Sequence, residues 1–505
     1  MIDPNNVADL FFNAAARFPD NTAIIYRKEK VSYAVLERDV VNTSAYFQQR
    51  GINKGDRVLV FVPMSIDLYR IVLSLFHIGA TAVFLDEWVN VDRLNLCCKV
   101  AKCKAFIAPF KVRALSWLSP ELWKIPVRIG LNYKKGLSVL PISNTNPTET
   151  ALITFTTGST GTPKAAKRTH GFLRAQFDVL QEELRPAPSD ITMTTLPIVL
   201  LINLAAGSTS VIPVYNAKKV LERDLKEVTK LLKNLNVNVI LSSPAFVKEI
   251  GKDLLKFPDG DIHLKKVYTG GAPVFPADAK MYIEAFGRST VNIIYGSTEA
   301  EPISATSAED LIYSDQEKGL YVGKPNINIE VKIIKITDED IPYIENFEQI
   351  ILPEGQIGEI IVTGPHVLKE YFNNEAAFRS NKIAEGETIW HRTGDSGYLE
   401  NGQLYLTGRS KELINLNGEL IAPFVLENKL KQIEGIRVGT IQLIDNRLFI
   451  IIEIEKGADQ TNIEITVKKI HPLISEVLFV KKIPLDLRHR SKIDYEALRK
   501  LIGHN

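Results

Sequence analysis

The feature that most restricts the fold is a repeated alternation. Short runs of β-branched and apolar residues are each followed by a stretch with helical spacing, closed by Gly or Pro. Val7 to Arg17 spaces its apolar residues as a helix does, Thr22 to Tyr26 reads as a strand, and Tyr33 to Gln49 as a helix ending before Gly51. Arg57 to Val62 is an apolar strand stopped by Pro63, Asp67 to Ile78 a helix stopped by Gly79, and Ala80 to Leu85 a strand again. The rhythm returns at Val239 to Leu241, Lys266 to Thr269 and Asn292 to Tyr295. Apolar strands separated by helices predict mostly parallel sheets with helices on their faces, because each parallel pair needs a crossover helix that covers the sheet.

The texture changes after about Gly323, where NIEVKIIKI and IGEIIVTG cluster β-formers between turn residues, as a meander or small barrel would. From Glu412 the chain reads as a small α+β unit, with strands at Thr440 to Ile444 and Leu448 to Ile454 and a helix at Ile463 to Ile470. The expected architecture is therefore α/β: a large N-terminal domain of mostly parallel sheets flanked by helices with a small β-barrel-like part, then a small mobile α+β C-terminal domain. The boundary is expected at Gly408 to Lys411.

Composition closes off other classes. The 505 residues, 45% apolar and 24% charged, are enough for a sizeable core. A net charge of +2 provides no global pull toward nucleic acid or an anionic membrane. Three cysteines, Cys97, Cys98 and Cys103, make no disulfide framework and lack a fourth ligand for metal, so they read as small buried thiols in a reducing compartment. The N-terminal residues do not read as a secretory signal. The longest apolar run, Leu196 to Ala206, is broken by Pro197 and Asn203 and falls short of the ~20 residues of a spanning helix. A cytoplasmic protein without a membrane span is expected.

The chemistry concentrates between Ile153 and His170. There Thr156, Thr157, Gly158, Ser159, Thr160, Gly161 and Thr162 precede Pro163 and Lys164. Such a loop can turn backbone N–H groups and hydroxyls toward phosphate oxygens while the lysine meets the remaining charge. The Walker A spacing does not fit, and by composition alone a surface turn is an equal alternative.

The segment TTGSTGTPK resembles the phosphate-loop signature of the adenylate-forming superfamily: acyl-CoA synthetases, aryl-acid ligases, nonribosomal-peptide adenylation domains and firefly-type luciferases. Five further segments follow in the family's order. YGSTEAEP (Tyr295 to Pro302) is similar to its adenine-site motif, and YTGGAPV, with Gly270, Gly271, Ala272 and Pro273, to that motif's partner. RTGDSGY holds Asp395, GRSKELINLNGELIAP holds Arg409, Lys411 and Gly418, and SKIDYEAL holds Lys492. The resemblance implies ATP, Mg²⁺ and a carboxylic acid as reactants, with a thiol of CoA or carrier-protein phosphopantetheine as acceptor. It implies that the phosphate loop through Lys164 holds the β/γ-phosphates. Tyr295, Gly296 and Ser297 would lie at the adenine, Thr298 at the α-phosphate and Glu299 on Mg²⁺. Asp395 would bind both ribose hydroxyls and Arg409 the nucleotide. The catalytic set would be Lys492, Thr298 and Lys164. Residues 1–408 would bind ATP and acid, 409–411 would be a hinge at Lys411, and 412–505 would swing to deliver Lys492, then turn Gly418 toward the acceptor thiol.

Departures narrow the substrate. LPIVLLINLAAGSTSVIP lacks the His or aromatic gate of many CoA ligases, and Asn203 is its only polar candidate for meeting an α-amine. A buried ammonium facing no carboxylate would be costly, so an apolar acid fits better than an amino acid. Leu200, Leu201 and Asn203 are the candidate acyl-pocket residues, plain core packing being the alternative. This stretch, with YGSTEAEPIS, KIAEGETIWHRTGD and IPLDLRHRSKIDYEAL, is most similar to olefin-biosynthesis β-lactone synthetases and related acyl ligases. That leaves three readings: an acid–thiol ligase on a fatty or related acid, a β-lactone synthetase acting on a 3-hydroxy acid without CoA, and a non-catalytic ATP-binding scaffold. His170 reads as a helix-start residue, His391 as packed, His489 as a solvated loop residue, Lys167 and Arg168 as an exposed basic face, and Trp88 as core.

Overall fold

The alternation becomes two sheets in a computed structural model that describes residues 6–85, 90–116, 119–131, 141–156, 164–215, 222–258, 260–486 and 492–503. The smaller sheet has the spatial order Val127–Ile129, Ala105–Ile107, Arg57–Val60, Thr81–Phe84, Thr150–Thr156, Lys164–Thr169. Its neighbours are parallel except the last pair, an antiparallel hairpin that sets Thr156 opposite Lys164 at the sheet's carboxyl edge. In open α/β sheets, ligands bind outside that edge.

The larger sheet runs parallel through Thr22–Tyr26, Thr209–Ile212, Ile191–Thr194, Val239–Ser242, Lys266–Gly270 and Thr290–Ser297. It continues antiparallel through Ala300–Ser307, Leu320–Pro325, Gln403–Arg409, Thr388–Glu400, Gly358–Thr363 and Glu330–Ile334. The meander expected after Gly323 is thus an extension of this sheet, joined where Ser304 pairs with Pro325. Val239–Ser242 is buried at every position, as a strand covered on both faces must be.

Helices Ala8–Arg17, Ile66–His77, His170–Leu184 and Pro197–Ala206 contribute to the packing between the sheets. One core joins Ile24 and Ile212 of the larger sheet to Val58, Ala82 and Leu152 of the smaller through Phe11, Phe76 and Leu204. Each of these side chains larger than alanine contributes roughly 1.5–3 kcal/mol when taken fully out of water. The Thr169 hydroxyl caps His170–Leu184 by accepting the Phe172 N–H, and Pro197 opens the next helix at a position that needs no N–H donor. Among the described residues, no helix is long and apolar enough to cross a membrane.

The C-terminal residues form their own sheet, Ile436–Ile444, Arg447–Ile454 and Ile474–Phe479, with helices Pro423–Lys431, Gln460–Val467 and Tyr495–Ile502. Leu426, Leu430, Ile441, Ile450 and Val467 fill the core between them. Among the described residues, contacts from the segment that opens with helix Pro423–Lys431 join this unit to the larger one. The Phe424 ring meets Phe275 edge-on at 5.7 Å, and Lys431 reaches Asp278 at 2.7 Å beside Lys248 at 2.6 Å. Burial alone would push the Asp278 carboxyl up, but the two ammonium groups outweigh it and hold it at about 2. Gln316 takes amide hydrogen bonds from Asn428 and Gln432.

Candidate active site

The nucleotide-motif residues meet where strands end. Lys266–Gly270 runs beside Thr290–Ser297, and a Cβ on Gly270 would lie 2.4 Å from the Ile294 carbonyl oxygen, so only glycine allows the approach. Gly271 follows with φ +87°, and the chain leaves through Ala272 and Pro273. Strands Thr388–Glu400 and Gln403–Arg409 pair Asp395 with Arg409. Asp395 Oδ2 accepts from the Tyr295 hydroxyl at 2.8 Å, and Oδ1 faces Arg409 Nη1 at 2.9 Å. Burial, with the Asp395 charge adding to it, pushes the Tyr295 phenol far above its ordinary value and keeps it a donor. A carboxylate offers about four lone-pair sites, so Asp395 can serve these two partners and still accept ribose hydroxyls.

A second group surrounds Glu299, in the turn after Ser297. Ser297 Oγ accepts the Glu299 N–H at 3.2 Å, and Tyr371 donates its hydroxyl to Glu299 Oε1 at 3.2 Å. The Leu368 N–H donates to the Glu299 carbonyl at 2.7 Å, and the Leu368 carbonyl accepts from the wholly buried Lys382. The Lys382 ammonium also lies 5.4 Å from the Tyr371 ring centre. Burial pulls Lys382 down to about 7, against the opposing attraction of Glu299. Lys164 donates to Asn381 Oδ1 at 2.7 Å; burial lowers its pKa, Glu299 resists, and the positive Lys411 and Arg409 lower it further. Lys164, Glu299, Arg409 and Lys411 therefore share one electrostatic environment. Arg168, expected on an exposed basic face, is buried and donates to the Thr298 carbonyl at 2.8 Å, which fixes the turn before Glu299. Lys167 pairs with Glu370 at 2.5 Å.

Glu299 also suits the ion that the resemblance implies. Mg²⁺ keeps several waters and is held by one or two carboxylates plus substrate phosphates, so a single acid in the electrostatic environment of Lys164 is a fitting donor set. Tyr371 takes one lone pair of Oε1 and leaves the rest of the carboxylate to act as a ligand.

The other expected residues fall in different places. Thr156 ends its strand, whereas Thr157, Gly158, Ser159, Thr160, Gly161 and Thr162 lie outside the described residues, as do His489 and Trp88. Lys411 sits exposed in the short turn Ser410–Glu412, and Gly418 (φ +84°) turns the hairpin Ile414–Leu416 to Glu419–Ile421. Lys492 is held by its backbone: its N–H donates to Asp486 Oδ1 at 3.3 Å and its carbonyl accepts from the Asp486 N–H at 2.8 Å. Tyr495, three residues on, donates to Glu427 Oε1 at 2.8 Å, as does the Thr440 hydroxyl at 2.7 Å. Tyr495 also lies within electrostatic reach of Arg409. His391 is packed, with Nδ1 3.2 Å from the Asn381 carbonyl. Burial holds His170, the first residue of its helix, at about 4. All three cysteines are buried, which pushes their thiols up to about 12.

The three candidate acyl-pocket residues point three ways. Leu200 is wholly buried in the core between the sheets, and Asn203 donates to Ser210 Oγ at 3.0 Å. Leu201 lines a cleft among helices Ala8–Arg17, Ile66–His77, His170–Leu184 and Pro197–Ala206. That cleft opens to solvent between the four helices. Leu10, Phe76, Leu173, Phe177 and Ile198 are among its walls, and Gln176 is its one polar lining residue among those described. Phe177 and Ile202 also join the apolar layer over Leu241, Tyr268 and Ile294, the last adjoining Tyr295 in sequence.

Sequence reasoning passed over Tyr371, Asn381, Lys382 and Gln176. None carries a local motif; the nearest signal was a lysine opening the strand-like KIAE ahead of WHRTGD.

Comparison with known proteins agrees with this geometry. The model of the AMP-binding enzyme family matches residues 11–372. An olefin β-lactone synthetase of Xanthomonas campestris pv. campestris is 28% identical, over 93% of this chain and 90% of the relative. Among solved structures, an amide bond synthetase from Marinactinospora thermotolerans superposes with a TM-score of 0.81 at 20% identity, covering 98% of this chain and 99% of that one. An O-succinylbenzoate coenzyme A synthetase from Bacillus subtilis, in complex with AMP, has a TM-score of 0.79 at 19% identity and covers 97% and 98%. With the matched family model spanning well over half its length, the chain belongs to the AMP-binding enzymes and is an AMP-forming acid ligase.

Proposed function

We propose that this ligase joins ATP to an apolar carboxylic acid, releasing pyrophosphate and forming an acyl-adenylate, and then passes the acyl group to the thiol of CoA or of carrier-protein phosphopantetheine. The observation that carries the reading is the shared environment of Lys164, Glu299 and Arg409, with Asp395 paired to Arg409. A carboxylate oxygen attacks the α-phosphorus, the bond to the β-phosphate oxygen breaks, and pyrophosphate leaves. Fixed cations and N–H donors stabilise the charge gathering on those oxygens better than water can reorganise to do. Lys164 meets the β/γ-phosphates, Thr298 the α-phosphate, and Asp395 with Arg409 orients the ribose. Tyr295 stands at the adenine and fixes the Asp395 carboxylate through its hydroxyl. Glu299 would hold Mg²⁺, which when bound would supply charge neutralisation on the phosphates.

Residues 1–408 act as the ATP- and acid-binding body and 412–505 as a lid turning about 409–411. Among the described residues, the lid's contacts with the body include ion pairs at Asp278 and Glu317, amide hydrogen bonds to Gln316 and the ring contact at Phe275, polar links of the kind a unit that must release can break. Lys492 reaches the acyl carboxylate and α-phosphate in one lid position, and the Gly418 turn faces the acceptor in the other. The acyl chain lies along the apolar cleft by Leu201, where each buried CH₂ contributes roughly 0.8 kcal/mol.

A second reading is favoured by the similarity to an olefin β-lactone synthetase across 93% of the chain: a 3-hydroxyl of the activated acid attacks its own carbonyl and expels AMP, with no thiol. Intramolecular attack draws on high effective molarity. Pyrophosphate and AMP release from ATP–Mg²⁺ with straight-chain and 3-hydroxy acids, each with and without CoA, separates them. AMP release that requires CoA supports thiol transfer, and CoA-independent release from 3-hydroxy acids supports ring closure. No release with any acid, while ATP still binds, refutes both and leaves a scaffold.

A further inference from the structure

Gln176 sits on helix His170–Leu184 with 2% of its surface exposed, and its side chain lines the apolar cleft. Among the described residues, neither its Nε2 nor its Oε1 has a hydrogen-bond partner. A buried amide left unpaired at both ends is costly, and leucine or methionine would fill an apolar wall without that penalty. A partner that satisfies both ends must both donate and accept. A ketone or ether oxygen could accept from Nε2 and would leave Oε1 bare, whereas a hydroxyl both accepts and donates and can satisfy either end. The cleft borders the apolar layer that extends toward the nucleotide motifs: Phe177, beside Gln176 in sequence, packs in the same layer as Ile294, which precedes Tyr295.

We propose that Gln176 is a specificity-determining residue, which hydrogen-bonds a hydroxyl carried on the aliphatic chain of the acid and so selects hydroxy acids over plain acids of the same length. This rests on the acid-activation reading above and deepens it. The walls select the hydrocarbon by area, with little discrimination per methylene, while a polar group buried to meet a substrate hydroxyl rejects the analogue that lacks it.

The experiment pairs decanoate with 3-hydroxydecanoate and with a decanoate hydroxylated further along the chain. They are compared on the full-length enzyme and on Gln176→Leu and Gln176→Met, in two readouts: kcat/KM for ATP–pyrophosphate exchange and acid binding by calorimetry. The wild type should favour one of the hydroxy acids over decanoate by about tenfold or more, as expected when the unsubstituted chain leaves the amide unpaired. Both variants should bring the pair within about twofold. Equal treatment of plain and hydroxy acids by the wild type overturns the proposal. So does a preference that survives in Gln176→Leu, which would assign the amide to a bound water. If no acid supports exchange, the acid-activation reading has failed, and the calorimetric ratio still decides the role of Gln176. Thermal melting of each variant separates a folding defect from a change of preference.

Discussion

Glu427 offers a test with a number attached. Its carboxyl is buried beneath the Lys492 segment and accepts hydroxyl hydrogen bonds from Tyr495 and Thr440. Burial raises it from 4.5 to about 7, the two hydroxyls and Lys431 opposing incompletely. Because the folded value lies above the unfolded one, the folded state holds a proton that the unfolded state releases between pH 4.5 and 7. Stability therefore falls as pH rises through that window, by about 1.4 kcal/mol for each pH unit crossed, or roughly 3 kcal/mol in all. Glu427→Gln keeps an oxygen acceptor for both hydroxyls and removes the titration. Urea midpoints of wild type and variant, compared at each pH from 4.5 to 8, should diverge steadily, with the variant the more stable above pH 7. The difference between the proteins cancels every other titrating group they share. A wild-type-minus-variant difference that stays flat across the window would refute the reasoning, because the carboxyl would then titrate alike in both states. Glu427→Ala removes the acceptor as well, and should slow ATP–pyrophosphate exchange by loosening Tyr495 behind Lys492.

Lys492→Ala should cut adenylation by about 10²–10³, the usual loss on removing one donor to developing charge, while ATP binding measured by calorimetry changes little; equal losses in both would make it a simple binding residue. Asp395→Asn leaves Arg409 and Tyr295 without their anion and should weaken ATP binding by about ten- to a hundredfold, the worth of a hydrogen bond to a charged group. An unchanged Kd would remove Asp395 from the ribose site. Lys431→Met frees one side of Asp278 and should expose 409–411 to trypsin several-fold faster; equal cleavage rates would mean that Asp278 does not hold the lid. Lys382→Met removes the tether to Leu368 and should raise the Mg·ATP concentration for half-saturation by about five- to tenfold, in binding as well as in turnover. Lys382 is held near 7, below its unfolded value, so the wild type should also gain stability relative to the variant as pH rises above 7.

The amino-acid sequence by itself determined the parts of this protein whose geometry closes within a few residues. Buried parallel strands announce themselves as continuous apolar runs, and helices begin and end at the caps and glycines expected of them. Gly270 is read from its motif because a strand passing so near Ile294 admits no side chain. Tertiary structure decided what depends on distant segments meeting. Tyr371 reaches Glu299 across 72 residues and Asn381 reaches Lys164 across 217, with no local pattern to mark either. Arg168 looked like surface charge until the fold laid it beneath Thr298. Leu200, Leu201 and Asn203, almost consecutive in one helix, face a core, a cleft and a strand serine, because 3.6 residues per turn send neighbours to different sides. The unpaired amide of Gln176 is invisible in a sequence, since only the packing of four helices removes water from around it.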